Sequence, residues 1–350
     1  MPDPAAMLLS ERPMLSVVLP VYNERETLDA LARRLAELLE PLCGGAYDVW
    51  WVDDGSTDGS VELLDGFHAA DGRMNVIHLS RNFGHQAALQ AGLDAATGRA
   101  VVLMDADLQD PPEVLTSLVA KWREGYEVVY AIRRNRKEGW PKRMAYSLFY
   151  RMMKAMAAID MPVEAGDFCL LDRRVVDVLI SLREQNRFLR GLRSWVGFKQ
   201  IGIPYDRPAR CAGVPKYTLR KLMHLALSGY LGFSVAPLRL ASWLGIASAS
   251  LGFVLILWVL VTKLTHQVTP QGWASTLAVV LFIGGLNLLV LGVIGEYLSR
   301  VYDEVRRRPL YLIRSKSASP DQEAVASQDP LAARTPAEST VPSPHGPSIR

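Results

Sequence analysis

The chain has 350 residues, of which 49% are hydrophobic, and a formal net charge of +3 at pH 7. This length allows one large domain with an added segment, and so small a charge gives no indication of a nucleic-acid-binding protein. Cys43, Cys169 and Cys211 lie far apart without a CxxC pair. Their spacing argues against a disulfide framework or a zinc site, and for a reducing compartment. The first 14 residues lack the basic and apolar regions of a signal peptide and are taken as an N-terminal extension, 1–14.

Short apolar runs alternate with helical patterns over the first half of the chain. The runs are LSVVLPV, YDVWWVDD, MNVIHLS, RAVVLMDAD and YEVVYAI. After the first run, leucines recur at helical spacing at Leu28, Leu31, Leu35, Leu38 and Leu39. This alternation predicts an α/β fold, with a doubly wound and mostly parallel sheet in a domain covering 15–212.

Polar residues follow four of the predicted strands. In such sheets, ligands bind beyond the carboxyl ends of the strands, so these residues should meet at one edge. Taken alone, Ser56, Thr57 and Asp58 are equally suited to capping a helix. Neither GxGxxG nor GxxxxGK[ST] is present, which argues against a dinucleotide oxidoreductase and a P-loop enzyme. In chain order the residues at the strand ends are Pro20, Tyr22, Asn23, Glu24, Asp53, Asp54, Gly55, Ser56, Thr57, Asp58, Arg81, Asn82, Gly84, Asp105, Asp107 and Gln109.

The fourth strand end, MDADLQDPPE, has the chemistry of a cation site. In an extended Asp-Ala-Asp segment, Asp105 and Asp107 point the same way. Together with the amide oxygen of Gln109 they offer hard oxygen ligands for Mg²⁺ or Mn²⁺, which would neutralise a leaving diphosphate. Asp53 and Asp54 can accept hydrogen bonds from a base or a ribose. The pattern therefore predicts a nucleotide and a divalent ion.

The C-terminal third contains two apolar runs long enough to span a bilayer, at 241–262 and 274–298. Two buried core helices are the alternative. A short connector, 263–273, separates the runs, and arginines lie on their outer flanks, including a basic segment at 299–313. By the positive-inside rule this predicts a multi-pass protein of the cytoplasmic (inner) membrane, with the large domain and both termini in the cytoplasm. The Ser/Pro/Ala-rich residues 314–350 read as a disordered tail.

Two further stretches are suited to the membrane surface. A basic cluster precedes a helical pattern at about 141–159 that is apolar on one face, and the arm 213–240 includes a second amphipathic stretch. Arg143 and Ser147 lie at i and i+4, hence on one face of the first helix. A solvated basic loop followed by an ordinary core helix is the alternative reading of that region.

The motifs PVYNE, VDDGSTDGS, MDADLQDPPE, AGDFCLLDRRVV and RFLRGLRSWVGF together resemble family-2 inverting glycosyltransferases. Within that family the chain is similar to the polyprenyl-phosphate glycosyltransferases of the dolichol-phosphate mannose synthase type, in their bacterial form with two transmembrane helices. The resemblance runs from about Ser16 to Leu312. It implies an A-type glycosyltransferase domain that transfers a sugar from a UDP- or GDP-linked donor to a polyprenyl phosphate, such as undecaprenyl phosphate, for envelope glycan or lipid modification.

The resemblance also implies roles for individual residues. Asp53, with Asp54 beside it, resembles the carboxylate that binds the base, and Asp105 the one near the ribose and metal. Asp107 and Gln109 resemble direct metal ligands. Asp167, in the GDF motif, is a candidate catalytic group together with Asp107. The other donor-site residues are Pro20, Tyr22, Glu24, Arg81, Arg190, Trp195 and Lys216. The lipid-phosphate contacts are Arg133, Arg134, Arg143 and Ser147.

One segment departs from the family pattern. Relatives usually have serine before the lysine of the acceptor-side arm, whereas this chain has Pro215 before Lys216. Proline lacks a backbone N–H and restricts its neighbour, so a hydroxyl contact is lost and the loop is stiffer. For Trp195, a packing role is as consistent with the sequence as contact with a ligand.

Other functions fit the sequence less well. A processive polysaccharide synthase would need a QxxRW-type motif and more membrane helices, and a nucleotidyltransferase would not explain the basic helix and the hairpin. A catalytically silent membrane scaffold, or a lipid-carrier partner with a transferase-like domain, is the alternative from another class. The sequence leaves open the sugar, the base and the oligomeric state, although glycines at 284, 285, 292 and 295 permit close helix packing in a homo-oligomer. Two membrane helices are too few for a flippase, which predicts a separate flippase partner.

Overall fold

The structure, a computed structural model, describes residues 12–134, 165–182, 184–185, 187–206, 236–266 and 272–319. The described residues up to 206 and from 309 onward form one unit, which contains the sheet. Residues 236–308 belong to a second unit, which contains the long C-terminal helices.

The first unit is built on an eight-stranded sheet. Its strands are β1 (Leu15–Val21), β2 (Tyr47–Asp53), β3 (Met74–Leu79), β4 (Ala100–Leu103), β5 (Val128–Arg134), β6 (Ala165–Asp172), β7 (Gln200–Asp206) and β8 (Ile313–Ser317). They lie in the order β7-β5-β6-β4-β1-β2-β3-β8. The helices of this unit are α1 (Arg25–Cys43), α2 (Ser60–Ala70), α3 (His85–Ala95), α4 (Val114–Arg123), α5 (Arg173–Ser181) and α6 (Leu189–Trp195).

The centre of the sheet is parallel and fully buried. β1 pairs in parallel with β2 on one side and with β4 on the other, and every residue of β1 is buried. The apolar runs of β1 to β4 therefore reflect strands covered on both faces. β4 pairs with β1 only as far as Val18, so Pro20, which has no N–H, lies where the two strands separate. The strand order reverses between β1 and β4, and in open α/β sheets ligands bind beyond the carboxyl ends of the strands at such a point.

Helix α1 shows why the predicted elements form. Leu28, Leu31, Leu35 and Leu39 are fully buried in the core, and Leu38 packs partly buried against it. The helix ends where Gly44 adopts a left-handed conformation (φ 59°) and donates its N–H to the carbonyl of Glu40. Glycine tolerates this conformation without the steric cost of a side chain. The leucine spacing therefore correctly predicted which face of the helix is buried.

The five predicted strands are confirmed, and the α/β fold class is confirmed as a mixed sheet. Within the described ranges, three further strands are present. β6 is antiparallel to both β4 and β5, β7 is parallel to β5, and β8 is antiparallel to β3. The sheet is therefore less uniformly parallel than predicted, because strands from the later part of the chain are added on both sides of the parallel centre.

Strand β8 covers the far edge of the sheet. It occupies residues 313–317, which the sequence analysis divided between the basic segment and the disordered tail. The backbone N–H of Ser80 donates to the carbonyl of Leu312 at 2.8 Å, and the Tyr311 hydroxyl donates to Asp94 at 2.7 Å. A tail can therefore begin only after Ser319. Residues 320–350, like residues 1–11 of the N-terminal extension, lie outside the described residues.

The second unit contains two long helices that contact each other, α7 (Ala236–His266) and α8 (Trp273–Arg306). The predicted spans 241–262 and 274–298 lie within them. Among the described residues, Phe282–Arg306 is the one stretch long and apolar enough to cross a membrane, with a mean hydropathy of 1.6. The apolar part of α7 at Trp243–Val254 is shorter. Large apolar side chains on both helices are exposed, as expected for a surface that contacts lipid or another protein. The predicted surface helix at about 141–159 and most of the arm 213–240 lie outside the described residues.

Candidate active site

The loops after β1 and β2 are joined by a set of side-chain to backbone hydrogen bonds. Asn23, in a left-handed conformation, accepts the N–H of Thr57 at 2.8 Å and donates its own N–H to Ser56 at 3.0 Å. Asp58 accepts the N–H groups of Arg25 and Ser60, each at 3.1 Å. These polar residues therefore hold the two loops in register, and Asp58 also binds the N–H of the first residue of α2, as the sequence allowed.

Asp53 lies at the end of β2 in a buried carboxylate–imidazole cluster. His78 is opposite Asp53 in the strand register, and its Nδ1 is 3.2 Å from Asp53 Oδ2. The other ring nitrogen of His78 is 3.1 Å from Asp65, and the Asp53 carboxylate also accepts the N–H of Ser56 at 2.9 Å. Burial alone would raise the pKa of Asp53, but the hydrogen bonds from His78 and Ser56 outweigh it and leave the pKa below its ordinary value. Burial opposes protonation of His78, yet its carboxylate partners raise the pKa of the imidazole.

Asp54, beside Asp53, holds a different loop. Its two oxygens accept the backbone N–H groups of Phe83 and Gly84, at 2.7 and 2.9 Å. A side chain at Gly55 would meet the backbone of the same loop at 2.8 Å, so the two loops can approach this closely only at a glycine. The neighbouring carboxylates thus have separate tasks: Asp53 faces the cleft described below, and Asp54 positions the loop before α3.

The Asp105–Gln109 segment turns rather than continuing the strand. β4 ends at Leu103, and Leu108 adopts a left-handed conformation (φ 56°), so the extended Asp-Ala-Asp geometry predicted from the sequence is not observed. Asp107 accepts two hydrogen bonds from Gln109, one from its backbone N–H at 3.1 Å and one from its side-chain amide at 2.6 Å. Asp107 and Gln109 thus form one local unit at the end of the strand, and the side-chain oxygen of Gln109 is not used in this contact.

The charges around Asp105 suit a cation. Burial raises the pKa of Asp105 to about 6, and the carboxylates of Asp167, Asp110 and Asp107 act in the same direction, while His85 opposes them. A cation would relieve this repulsion. Among the described residues, no three His, Cys, Asp or Glu side chains are close enough to form a complete metal cage. The donors present nevertheless fit Mg²⁺ or Mn²⁺, which proteins often hold through one or two carboxylates together with substrate phosphates.

Asp167 on β6 is held between a guanidinium and an imidazole. Arg190 on α6 contacts its two oxygens through Nε and Nη2, both at 2.7 Å, and His85 Nε2 lies 3.5 Å away on the other side. The same His85 nitrogen is 3.6 Å from Asp105. Burial would raise the pKa of Asp167, but the hydrogen bonds from Arg190 and His85 lower it well below the usual range. Asp167 is therefore an ionised carboxylate, and His85 connects it to the fourth strand end.

Helix α6 is itself anchored to the rest of the site. The backbone N–H of Leu189 donates to the side chain of Gln86 at 3.1 Å, and Arg187 donates to the carbonyls of Leu179 and Leu182 at the end of α5. Arg187, the first residue of the RFLRG motif, thus braces the approach to α6 from α5.

The remaining predicted residues are placed as follows. Tyr22 and Trp195 are exposed, Trp195 to 58%, so Trp195 is not packed as a core residue. Glu24 immediately precedes α1 without a side-chain capping hydrogen bond to it, and the Arg81 guanidinium lies 4.1 Å from the centre of the Phe83 ring. Arg133 and Arg134 are the last residues of β5. Arg143, Ser147 and Lys216 lie outside the described residues.

A cleft of about 370 Å³ opens at the ends of β2, β3 and β8. Its lining includes Asp53, Ser56, Asp65, His78, Arg81 and Arg314. Sequence reasoning missed His78 and Arg314 here, and His85 at the neighbouring strand end. A sequence signal was available for the two histidines. His78 lies within the third predicted strand and His85 shortly after it, and other predicted strands of the same sheet end in carboxylates.

Comparison with known proteins gives two matching families. Residues 16–180 match "Glycosyl transferase family 2", and residues 236–301 match "GtrB C-terminal hairpin". The chain is 46% identical to the "Uncharacterized glycosyltransferase YkcC" of Bacillus subtilis, over 87% of this chain and 95% of that protein. It is 36% identical to the "Bactoprenol glucosyl transferase" of Shigella phage SfX, over 86% of this chain and 99% of that protein. The chain therefore belongs to glycosyltransferase family 2.

Proposed function

We propose that the protein transfers a hexose or modified sugar from a nucleoside-diphosphate sugar to a polyprenyl phosphate, with inversion at the anomeric carbon. The observation that carries the proposal is that a polar cleft at Asp53 and the carboxylates of Asp105, Asp107 and Asp167 lie at the same edge of the sheet. The cleft offers polar partners for a nucleoside, and the carboxylate cluster offers ligands for the cation that a diphosphate requires.

The acceptor is proposed from the second half of the chain. The relative from Shigella phage SfX is named for bactoprenol, a polyprenyl lipid, and the alignment covers 99% of its length. The match to the hairpin family and the exposed apolar side chains of α7 and α8 support a lipid acceptor and a location at a membrane. This sets the proposed enzyme apart from glycosyltransferases that use soluble acceptors.

Each part of the site has a proposed task. Asp53, fixed by His78, accepts a hydrogen bond from the base or ribose. Mg²⁺ or Mn²⁺ held by Asp105, Asp107 and Gln109 supplies the charge neutralisation that a departing diphosphate needs. The polyprenyl phosphate is already an anion at neutral pH, so it needs little help from a general base. Asp167, kept ionised by Arg190, is then best suited to orient the sugar or acceptor for attack.

The membrane arrangement and partners are part of the same proposal. Arginines at 300 and 306–308 follow the apolar part of α8, which favours a multi-pass arrangement in the cytoplasmic membrane with the sheet domain and both termini in the cytoplasm. Arg133, Arg134, Arg143 and Ser147 are proposed to hold the lipid phosphate, and Lys216 the donor. A homo-oligomer and a separate flippase are proposed partners. Movement of the glycolipid across the bilayer of liposomes that contain this protein and no other would contradict the proposal of a separate flippase.

The decisive experiment uses the purified full-length protein in detergent. It is incubated with undecaprenyl phosphate, Mg²⁺ or Mn²⁺, and a panel of radiolabelled UDP- and GDP-sugars, and the lipid phase is extracted and counted. Asp107→Asn tests the cation site. Asp71→Asn is the matched control, because Asp71 lies before β3 at the opposite edge of the sheet, where it pairs with Arg73.

The expected result is label in the lipid with one donor, lost in Asp107→Asn and on chelation of metal, and kept in Asp71→Asn. The anomeric configuration of the product, read by NMR, tests inversion. No transfer from any donor, together with no binding of any sugar nucleotide, would contradict the proposal and favour a catalytically silent membrane scaffold or a lipid-carrier partner.

A further inference from the structure

One wall of the cleft at Asp53 comes from the distant end of the chain. Strand β8 follows α8 and pairs antiparallel with β3, so Arg314 and Ser315 line the same cleft as Asp53 and His78. The strand is anchored on both sides of Arg314. Before it, the carbonyl of Leu312 accepts the N–H of Ser80 at 2.8 Å, and after it, the Lys316 ammonium lies 5.2 Å from the Trp50 ring.

The pairing of β8 with β3 is irregular at Arg314. His78 pairs with Ser315, but the next residue of β3, Leu79, pairs with Ile313. Arg314 is therefore an extra residue in β8, as in a β-bulge. A bulge redirects the side chain of the extra residue and interrupts the ladder locally, and bulges are common beside active sites. In this protein the redirected side chain is a guanidinium at the wall of the cleft.

The cleft combines hydrogen-bond acceptors with donors. Asp53 supplies carboxylate oxygens at the end of β2, whereas Arg314 supplies the planar donor fork of a guanidinium. The second guanidinium in the lining, that of Arg81, is stacked on Phe83 and donates to the carbonyl of Asn82. The hydrogen-bonding edges of uracil and guanine each present an N–H beside a carbonyl oxygen. A carboxylate such as that of Asp53 can accept the hydrogen bond from the N–H, and a guanidinium such as that of Arg314 can donate one to the carbonyl oxygen.

We propose that Arg314 is a donor-binding residue that contacts the nucleoside part of the sugar nucleotide from the opposite side of the cleft to Asp53. The inference rests on the proposed function, because it assumes that this cleft receives the nucleotide. In this proposal, residues from the N-terminal part of the chain and from β8 together form the nucleotide site.

The test measures nucleotide affinity in the full-length protein in detergent. Calorimetric titrations use UDP and UMP, and GDP and GMP, against wild type, Arg314→Ala and Lys316→Ala. Lys316→Ala is the matched control, because it removes a cation from the same strand whose side chain lies over Trp50 rather than in the cleft lining. Melting temperatures verify that each variant is folded, and Arg314→Gln replaces Arg314→Ala if the alanine variant is not.

We expect Arg314→Ala to weaken binding of the preferred monophosphate and diphosphate by the same factor, about tenfold or more, as for a lost hydrogen bond to a charged group. The KM for the donor should rise with kcat little changed, and Lys316→Ala should bind as wild type does. Wild-type affinity in Arg314→Ala would overturn the inference while leaving the function intact. A loss confined to the diphosphates would also overturn it, by moving the contact to the β-phosphate. A wild-type protein that binds no nucleotide would overturn both.

Discussion

The ion pair between Arg190 and Asp167 gives a sharp test of the candidate site. Replacing Arg190 with glutamine removes both 2.7 Å contacts and leaves Asp167 with the imidazole of His85, 3.5 Å away. Arg174→Gln is the control, because Arg174 also pairs with carboxylates, those of Glu127 and Asp172, but its side chain is 70% exposed. The comparison separates the loss of a buried contact from the loss of a positive charge.

The expected destabilisation follows from the burial of each partner. The Asp167 side chain is only 9% exposed, and breaking a buried ion pair costs about 3–5 kcal/mol. The Arg190 side chain is 38% exposed, so water screens part of the interaction and His85 remains in place. We therefore expect a loss of about 2 kcal/mol in the free energy of unfolding for Arg190→Gln. For Arg174→Gln the expected loss is less than about 1 kcal/mol.

The assay combines chemical denaturation with initial rates of sugar transfer. Displacement of Asp167 should lower kcat by about a hundredfold in Arg190→Gln, with little change in Arg174→Gln. Because folding lowers the pKa of Asp167, its stabilising effect is complete above the ordinary carboxyl pKa and is lost as the pH falls through the lower folded-state value. The stability difference should thus hold at neutral pH and shrink below about pH 4. Equal stability and equal kcat in the two variants would refute the assigned role of the pair.

Three further changes test the structure elsewhere. Burial raises the pKa of Asp48 to about 6, so the free energy of unfolding should fall as the pH rises from about 4 to 6. Asp48→Asn should therefore raise the melting temperature at pH 8 but not at pH 4, and an equal change in melting temperature at both pH values would contradict this. Asp54→Ala leaves two backbone N–H groups without their acceptor and should cost about 1–3 kcal/mol in chemical denaturation, whereas an unchanged midpoint would remove its role in holding the loop. Tyr311→Phe removes the hydroxyl that donates to Asp94, so faster hydrogen exchange in β8 is expected, and unchanged exchange would show that this contact does not anchor the strand.

The parallel half of the sheet was predictable because its signals are local. Strands covered on both faces need continuous apolar runs, and the leucine spacing of α1 defines its buried face within a single segment. β8 carries no such signal. IRSKS is polar and has a single apolar residue, so its strand conformation depends on pairing with β3, far away in the chain.

Within the candidate site, the sequence suggested residues but not the contacts that they make. Asp53 and Asp54 are adjacent and chemically identical, and only the packing of the loop before α3 shows that Asp54 is engaged with backbone N–H groups. The partnership of His78 with Asp53 likewise depends on the register between β2 and β3. The extended geometry predicted for Asp105 and Asp107 failed because β4 ends at Leu103 and the chain turns at Leu108.

The position of β8 in the chain also has a consequence for biosynthesis. Roughly a hundred residues separate the end of β7 at Asp206 from the start of β8 at Ile313, and a ribosome needs about 5–20 s to make them. Throughout that interval the outer edge of β3 has no strand beside it, and an unpaired edge invites pairing with other chains. The nascent domain is thus most prone to aggregation while α7 and α8 are being synthesised, and β8 ends that period by pairing with β3.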